Sequence, residues 1–295
     1  MKKKRLFIII LSIFLLIGIL TSCVSRRDEQ EATSADPHAG QVEVPDGNGG
    51  TMWVDKAKNI PAFGMDASKF TVSNGDVSYT GDGYTLRRGI DVSSYQGDVD
   101  WKAVASSGIQ FAMIRCGWRG YSGGSVNEDD HFKQNIQGAL AAGLDVGVYF
   151  YSQAVNVYEA AEEAVYTVNL IRNYHVTLPV FFDWEHVSAD NVRTSGMTGE
   201  EITACCREFC QIVKAAGYTP GVYSYLNLAY FTYDLDKLAG QTLWISDPSS
   251  RPDFYYEHAY WQYSIAGSIP GISADVDLDV MFIKTSSGTQ SAQTP

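Results

Sequence analysis

From Arg88 onward, short apolar runs alternate with longer amphipathic stretches, and this alternation limits the possible folds more than any other feature. Runs with the length and residue content of strands occur at 89–93, 110–116, 145–151, 178–185, 219–223, 243–246, 259–263 and 275–282. Amphipathic stretches with helical spacing occur at 101–107, 131–142, 157–172, 198–216 and 226–238. The pattern predicts an α/β fold in the form of an incomplete TIM-like barrel, with five βα units followed by three strands.

The first residues have the pattern of a bacterial export signal. A basic segment, Lys2 to Arg5, precedes an apolar run at 6–20, which is shorter than the roughly 20 residues that span a bilayer. The run ends in Leu20-Thr21-Ser22-Cys23, which resembles the lipobox of bacterial lipoproteins. This resemblance implies a signal peptide at 1–22 and a lipid on the Cys23 sulfur, with an uncleaved anchor as the alternative. Either way, we expect the rest of the chain to lie outside the cytoplasm, tethered to a membrane.

Composition divides the remaining chain. Residues 23–50 are rich in Asp, Glu, Gly, Ser and Pro and predict a disordered tether, and 285–295 predict a disordered tail. Residues 51–88 regain aromatic and β-branched side chains, and Asn74-Gly75 lies between two alternating runs, which predicts a hairpin. We therefore expect a small β-rich extension at 51–88, followed by a barrel at 89–284.

The charge balance excludes several partners. The chain has 22 Lys and Arg against 34 Asp and Glu, which gives a formal net charge of −12. A surface of this charge repels phosphate backbones, so we expect no nucleic acid partner and no attraction to an anionic membrane by charge alone. With 45% hydrophobic residues the chain has enough apolar side chains for a substantial core, and we expect a monomer.

The cysteines and histidines lack the spacing of metal sites. Cys205, Cys206 and Cys210 share a helical apolar repeat with Phe209, which predicts small core residues rather than a disulfide framework. The five histidines are scattered, and no nucleotide-binding glycine loop follows a predicted strand. We therefore predict no metal and no cofactor.

Acidic residues recur at the predicted strand ends, where barrel enzymes carry their catalytic groups. They are Asp91, Asp183, Glu185, Asp275, Asp277 and Asp279. Alternation along a strand places Asp183 and Glu185 on one face, with α-carbons about 6.5–7 Å apart. Mutual repulsion and burial would raise one pKa, so that one carboxyl keeps its proton while its neighbour is ionised. Such a pair fits acid-catalysed glycoside cleavage, and a structural capping role is the alternative.

Aromatic and amide side chains are predicted at the same end of the barrel. They are Tyr149, Tyr151, Tyr223, Trp244, Trp261, Gln262 and Tyr263. Flat aromatic faces stack on the apolar faces of sugar rings, while hydroxyl and amide groups bind sugar hydroxyls and acetamides. Only alternate positions of a barrel strand face inward, so we expect about half of these residues to pack in the core instead.

Four motifs stand out together in the predicted barrel. They are Gly89-Ile90-Asp91-Val92-Ser93-Ser94-Tyr95-Gln96-Gly97, Asp183-Trp184-Glu185, Trp261-Gln262-Tyr263-Ser264 and Val276-Asp277-Leu278-Asp279. In this order and spacing, 89–284 resembles glycoside hydrolase family 25, the lysozymes of the Chalaropsis type. The resemblance implies a barrel of eight strands and five helices. It also implies an exported muramidase that cuts the β-1,4 bond between N-acetylmuramic acid and N-acetylglucosamine, so that its partner is a peptidoglycan glycan strand.

The resemblance further implies roles for individual acids. Glu185 would be the general acid and later the base that activates water. Asp183 would orient the substrate's own 2-acetamido group, which is the nucleophile proposed for the family. Asp91 and Asp277 match the family's other two active-site acids. Asp275 and Asp279 stay open as alternatives to Asp277, because they lie two residues away on the same strand face.

The family resemblance also implies which residues contact the substrate. The resemblance places Tyr149, Tyr223 and Trp244 where the family has sugar-contacting or strand-ending aromatic residues, and Gln262 lies in a matched motif. Arg115 ends the second predicted strand, where a basic residue would meet the lactyl or peptide carboxylate of the substrate. The alternative is that Arg115 pairs with one of the acids named above.

Two other functions stay open from the sequence. A chitinase-like N-acetylhexosamine hydrolase also carries Asp-Trp-Glu on a fourth barrel strand, but such enzymes have further aspartates where this chain has Phe181 and Leu178. A non-catalytic carbohydrate-binding lipoprotein is the other alternative, although all four acids are present. The extension at 51–88 has no family counterpart that we recognise.

Overall fold

The computed structural model of the protein describes residues 36–73 and 75–285. The predicted signal peptide at 1–22, the predicted lipidation site Cys23 and the predicted tail beyond residue 285 lie outside the described residues. Within the described residues, no helix combines the length and the apolar character needed to cross a membrane.

Thirteen strands and five α-helices lie within the described residues. The strands are β1 (Gln41–Pro45), β2 (Thr51–Asp55), β3 (Phe70–Ser73), β4 (Asp76–Tyr79), β5 (Tyr84–Val92), β6 (Phe111–Arg119), β7 (Val126–Glu128), β8 (Asp145–Ser152), β9 (Val180–Trp184), β10 (Pro220–Tyr225), β11 (Thr242–Ser246), β12 (Tyr260–Gly267) and β13 (Val276–Lys284). The helices are α1 (Trp101–Ser106), α2 (Phe132–Ala141), α3 (Val157–Ile171), α4 (Gly199–Ala215) and α5 (Leu226–Phe231), with 3-10 helices at Ala67–Lys69, Ser94–Gln96 and Leu235–Leu238.

Eight strands close into a barrel in the order β5-β13-β12-β11-β10-β9-β8-β6, because β5 also pairs with β6. The prediction of a mixed α/β barrel is confirmed. Neighbouring strands are parallel except at β13, which runs antiparallel to both β12 and β5. This reversal was not predicted, and it brings the first residues of β13 to the end of the barrel where the other strands finish. Asp277 consequently lies opposite Asp91.

Two elements differ from the predicted alternation of strands and helices. β7 pairs antiparallel with the last residues of β6, so that a short hairpin separates β6 from α2. The helix predicted over 226–238 ends at Phe231, and the 3-10 helix at Leu235–Leu238 begins with an Asp234 side chain that accepts from Lys237 N. Asp234 offers the backbone a local hydrogen bond, which favours a new helix start over continuation of α5.

Apolar side chains form two layers on the barrel wall. A small cluster that includes Phe111, Phe181 and Trp244 fills the interior, and a larger cluster packs on the outer side of the strands. All cysteines of the described residues are free and buried, namely Cys116, Cys205, Cys206 and Cys210. The prediction that the cysteines of α4 are small core residues is therefore confirmed.

Residues 56–84 pack on the outer face of β12 and β13, where no α-helix of the described residues lies. Phe70 packs edge-on against Trp261 and Phe282, with ring centroids 5.7 and 5.8 Å apart. The Tyr263 hydroxyl donates to the Gly75 carbonyl at 2.8 Å. β3 and β4 pair antiparallel on either side of the predicted turn, which confirms the hairpin.

Part of the segment predicted as a tether is ordered. β1 lies inside 23–50 and forms a two-stranded sheet with β2. The Asp46 carboxylate accepts from the backbone N–H groups of Asn48 and Gly50 at 2.8 and 2.9 Å, and Gly47 and Gly49 adopt φ of 77° and 87°. The glycine-rich composition that predicted disorder therefore forms a tight turn between two short strands.

Candidate active site

A cavity of about 240 Å³ opens at the end of the barrel where the parallel strands finish. Its lining residues are Asp91, Ser93, Tyr95, Gln96, Arg115, Tyr149, Tyr151, Asp183, Glu185, Tyr223, Trp244, Gln262 and Asp277. The structure thus brings together all nine side chains that the sequence predicted for catalysis and substrate binding. A larger cavity of about 540 Å³ lies at the opposite end of the barrel, where Lys284 pairs with Glu257.

Asp183 and Glu185 form a directly interacting pair at the end of β9. Asp183 is 4% exposed, Glu185 is half-buried, and their carboxyl groups hydrogen bond to each other. Burial raises the pKa of both groups, and the charge of Glu185 raises the pKa of Asp183 further. The hydrogen bond with Asp183 partly offsets the increase in the pKa of Glu185. The pair therefore shares one proton at a pH where ordinary carboxyl groups are ionised.

A single amide joins two further carboxylates. Gln262 Nε2 donates to Asp91 Oδ2 at 2.6 Å and to Asp277 Oδ2 at 3.2 Å. The Gln262 Oε1 atom accepts from the Tyr223 hydroxyl at 3.0 Å, which orients the amide. Burial raises the pKa of Asp91, and the neighbouring charge of Asp277 raises it further. Burial and the charge of Glu185 raise the pKa of Asp277 to about 6.

The three aspartates near the start of β13 occupy different environments. Asp275 precedes the strand and is exposed, whereas Asp277 lines the cavity. Asp279 lies fully buried, and its Oδ1 accepts from Trp244 Nε1 at 2.8 Å. Burial is the largest cause of the raised pKa of Asp279. Of the three candidates, Asp277 is therefore the one in contact with the cavity.

Arg115 is held by an acid outside the predicted set. Its Nε donates to Asp129 Oδ2 at 2.8 Å, and its Nη2 donates to Ser94 Oγ at 3.1 Å. The guanidinium also lies 5.0 Å from the ring centroid of Tyr95. The alternative that Arg115 pairs with one of the named acids is wrong, because Asp129 is its partner. The charge of Arg115 nevertheless lowers the pKa of Asp183, against the raising effect of burial.

The predicted aromatic residues divide between the two faces of the barrel wall. Four line the cavity, namely Tyr149, Tyr151, Tyr223 and Trp244. Trp244 is 1% exposed and forms the floor, so its ring face is covered by neighbouring rings rather than open for stacking. Trp261 and Tyr263 face outward and pack on the extension, so these two belong to the part of the set that was expected to pack instead of lining the cavity. Alternation along β12 turns Gln262 inward, on the same face as Tyr260 of the interior cluster, whereas Trp261 and Tyr263 lie on the opposite face.

The comparisons with known proteins agree with this geometry. Residues 90–272, more than half of the chain, match the family described as glycosyl hydrolases family 25. The chain belongs to glycosyl hydrolase family 25. It is 30% identical over 194 residues to an autolytic lysozyme of Clostridium acetobutylicum, an alignment that covers 65% of this chain and 55% of that protein. It is 27% identical over 201 residues to lysozyme M1 of Streptomyces globisporus, covering 64% of this chain and 66% of that protein.

The family 25 chain thus spans 55% and 66% of the length of these two relatives. Among solved structures, a family 25 glycosyl hydrolase from Bacillus anthracis has the same fold. Its TM-score is 0.57 at 24% identity, and the alignment covers 69% of this chain and 91% of that one.

Four residues of this family 25 site were not singled out from the sequence. They are Ser93, Tyr95 and Gln96, which line the cavity, and Asp129, which accepts from Arg115. Tyr95 is 80% exposed and, with Gln96, lines the cavity from the 3-10 helix that follows β5. Both belong to the opening motif, which was the available signal. Asp129 follows β7 and has no sequence pattern that links it to Arg115. Within the described residues, no group of three or more His, Cys, Asp or Glu side chains is arranged to hold a metal ion.

Proposed function

We propose that this chain is a peptidoglycan muramidase that hydrolyses the β-1,4 bond between N-acetylmuramic acid and N-acetylglucosamine. The observation that carries the proposal is the hydrogen-bonded pair of Asp183 and Glu185 at the cavity, with raised pKa values and two further carboxylates beside it. The names of the two relatives, both lysozymes, support the same substrate.

In the proposed mechanism, Glu185 protonates the leaving oxygen, because it is the more exposed carboxyl of the pair. After departure of the leaving group, the same carboxylate accepts a proton from the attacking water. Asp91 and Asp277 position the sugar and tune the charges around Glu185.

The closeness of Asp183 to Glu185 favours a substrate-assisted route. An inverting pair of carboxyl groups stands about 6.5–9.5 Å apart to admit a water, whereas these two groups hydrogen bond directly. Within the described residues, Asp183 Oδ1 is buried without a hydrogen-bond partner. The N–H of a 2-acetamido group would supply the missing donor and leave its carbonyl oxygen oriented for attack. Asp183 thus orients the internal nucleophile.

The remaining cavity residues bind the sugar in this proposal. Tyr149 and Tyr223 contact the sugar or its acetamide, and Trp244 supports them from below. Gln262 orders the two flanking acids, and Arg115 meets a lactyl or peptide carboxylate. The exposed ring of Tyr95, which stacks on Arg115, adds a sugar-stacking face at the rim.

We also propose that the enzyme acts outside the cytoplasm as a monomer, held at the membrane by a lipid on Cys23 after removal of 1–22. The acidic composition supports this route, because charge alone would not hold the chain at an anionic surface. The extension at 51–88 and the barrel at 89–284 form the part that acts on the wall.

The test is hydrolysis of purified peptidoglycan by the parent protein and by Glu185→Gln. Asp275→Asn is the matched control, because Asp275 is an exposed acid near β13. Reducing muramic acid ends, found by reduction and mass spectrometry with the parent and the control but not with Glu185→Gln, are the expected result. Reducing glucosamine ends would show a different bond. Cleavage of soluble chitin fragments alone would favour a chitinase-like enzyme. Undiminished hydrolysis by Glu185→Gln would refute the mechanism.

A further inference from the structure

Glu185 lies just beyond the hydrogen-bond ladder of the barrel. The pairing of β8 with β9 ends at Ser152 opposite Trp184, so the backbone of the next residue along β9 is no longer held by a neighbouring strand. A general acid must keep its carboxyl within about 0.5 Å of the position from which it can donate its proton to the reacting oxygen. Another contact is therefore needed to fix this part of the chain.

The side chain of Gln153 supplies that contact. Gln153 is the residue that follows β8, and it is fully buried. Its Nε2 donates to the backbone carbonyl of Glu185 at 3.0 Å. Its Oε1 accepts from Thr194 Oγ1 at 3.1 Å, and this second bond decides which way the amide points. The amide thus continues the β8–β9 pairing by one side-chain hydrogen bond.

An ion pair fixes Gln153 in turn. Arg193 Nη1 donates to the Gln153 carbonyl at 3.0 Å, and the guanidinium binds the Glu159 carboxylate with two bonds of 2.6 and 2.7 Å. Arg119 donates to the Glu159 backbone carbonyl at 3.0 Å. A bidentate arginine–carboxylate pair has a fixed geometry, so both ends of the Gln153 residue are constrained.

We propose that Gln153 is a positioning residue for the general acid, acting through the backbone of Glu185 without touching substrate. The proposal rests on the proposed function, in which Glu185 is the proton donor. None of the four sequence motifs contains Gln153, and the role follows from the contact alone.

The first test is Gln153→Leu, which keeps the volume and removes both side-chain hydrogen bonds. We expect kcat on solubilised glycan chains to fall about 10- to 100-fold, because a displaced acid loses alignment in the transition state. KM should change less than about twofold, since the sugar contacts are untouched. Thr194→Val removes only the bond that orients the amide, and a smaller fall in kcat is expected.

A matched control separates positioning from general loss of stability. Val213→Ala removes buried volume from α4, away from the cavity. At a temperature where all variants are folded, this control should keep the parental kcat even if its melting temperature falls as far as that of Gln153→Leu. Parental kcat in both Gln153→Leu and Thr194→Val would overturn the proposal, as would an equal fall in the control.

Gln153→Glu adds a readout that a purely structural role would not move. Its protonated carboxyl can donate to the Glu185 carbonyl, whereas its ionised form cannot. The ratio of variant to parent kcat should therefore rise as pH falls, and a ratio independent of pH would count against the proposal. The charged groups around this position, Glu185, Asp183, Arg193 and Glu159, are present in both proteins. Activity retained in Glu185→Gln would instead remove the proposed function itself.

Discussion

Replacing Asp277 by asparagine is expected to stabilise the protein at neutral pH while it weakens catalysis. Burial and the charge of Glu185 raise the pKa of Asp277 from 3.8 to about 6. The folded state therefore binds this proton more tightly than the unfolded state does. The stability that protonated Asp277 contributes is fully present below pH 3.8 and is lost as pH rises through about 6.

The size of the effect follows from the two pKa values. Relative to pH values below 3.8, the difference between 3.8 and about 6 lowers the free energy of unfolding by about 3 kcal/mol at pH 7 and by about 1 kcal/mol at pH 4.5. Asparagine has the shape of the neutral acid and does not titrate, so Asp277→Asn should gain up to these amounts. Its amide oxygen can still accept from Gln262 Nε2, so this donor keeps its partner.

Urea unfolding at pH 7 and pH 4.5 measures the gain, and hydrolysis of glycan chains measures the loss of activity. The control Asp275→Asn changes an exposed acid and should alter the free energy of unfolding by less than about 0.5 kcal/mol. A gain for Asp277→Asn that is equal at both pH values would refute the electrostatic reasoning. A net loss of stability at pH 7 would do the same.

Three other perturbations test separate parts of the structure. Phe70→Ala should lower the free energy of unfolding in urea by about 3–5 kcal/mol, because this buried ring of the extension packs on Trp261. The control Tyr158→Ala, at an exposed position, should lower it little. Asp129→Asn removes the negative charge that pairs with Arg115, so the charge of Arg115 should lower the pKa of the catalytic pair further. The alkaline limb of the pH profile of kcat should then move to lower pH, and an unchanged limb would contradict this. Thiol reagents should not modify the cysteines of the folded barrel, because all four are buried and burial raises the pKa of Cys116 and of Cys205 to about 12. Labelling of Cys116, Cys205, Cys206 or Cys210 before unfolding would contradict their burial.

The features that could be predicted from the sequence are local ones. The barrel strands lie within the predicted runs or extend them, because a strand buried on both faces needs a continuous apolar segment. The capped start of α4 follows from the Thr198 and Glu201 pair, which forms a reciprocal capping box. The carboxylates at strand ends were predictable because barrels place strand ends together.

The features that could not be predicted depend on contacts between distant segments. Nothing in 275–282 indicates that β13 runs antiparallel to its neighbours, since alternation of side chains is the same in both directions. The inward direction of Gln262 and the outward direction of Trp261 depend on the register of β12. Asp129 reaches Arg115 only because the β6–β7 hairpin folds back on itself. A sequence pattern gives the period of a strand but not its partner.

The acids in and next to the cavity accept hydrogen bonds from neutral donors, and this has a chemical consequence. The Gln262 amide donates to Asp91 and Asp277, and the Trp244 indole donates to the buried Asp279. An arginine in direct contact with these groups would stabilise their charged forms and lower their pKa values. The one arginine that lines the cavity, among the described residues, is instead bound to Asp129. Burial therefore continues to dominate, and the Asp183–Glu185 pair keeps the proton that glycoside cleavage requires.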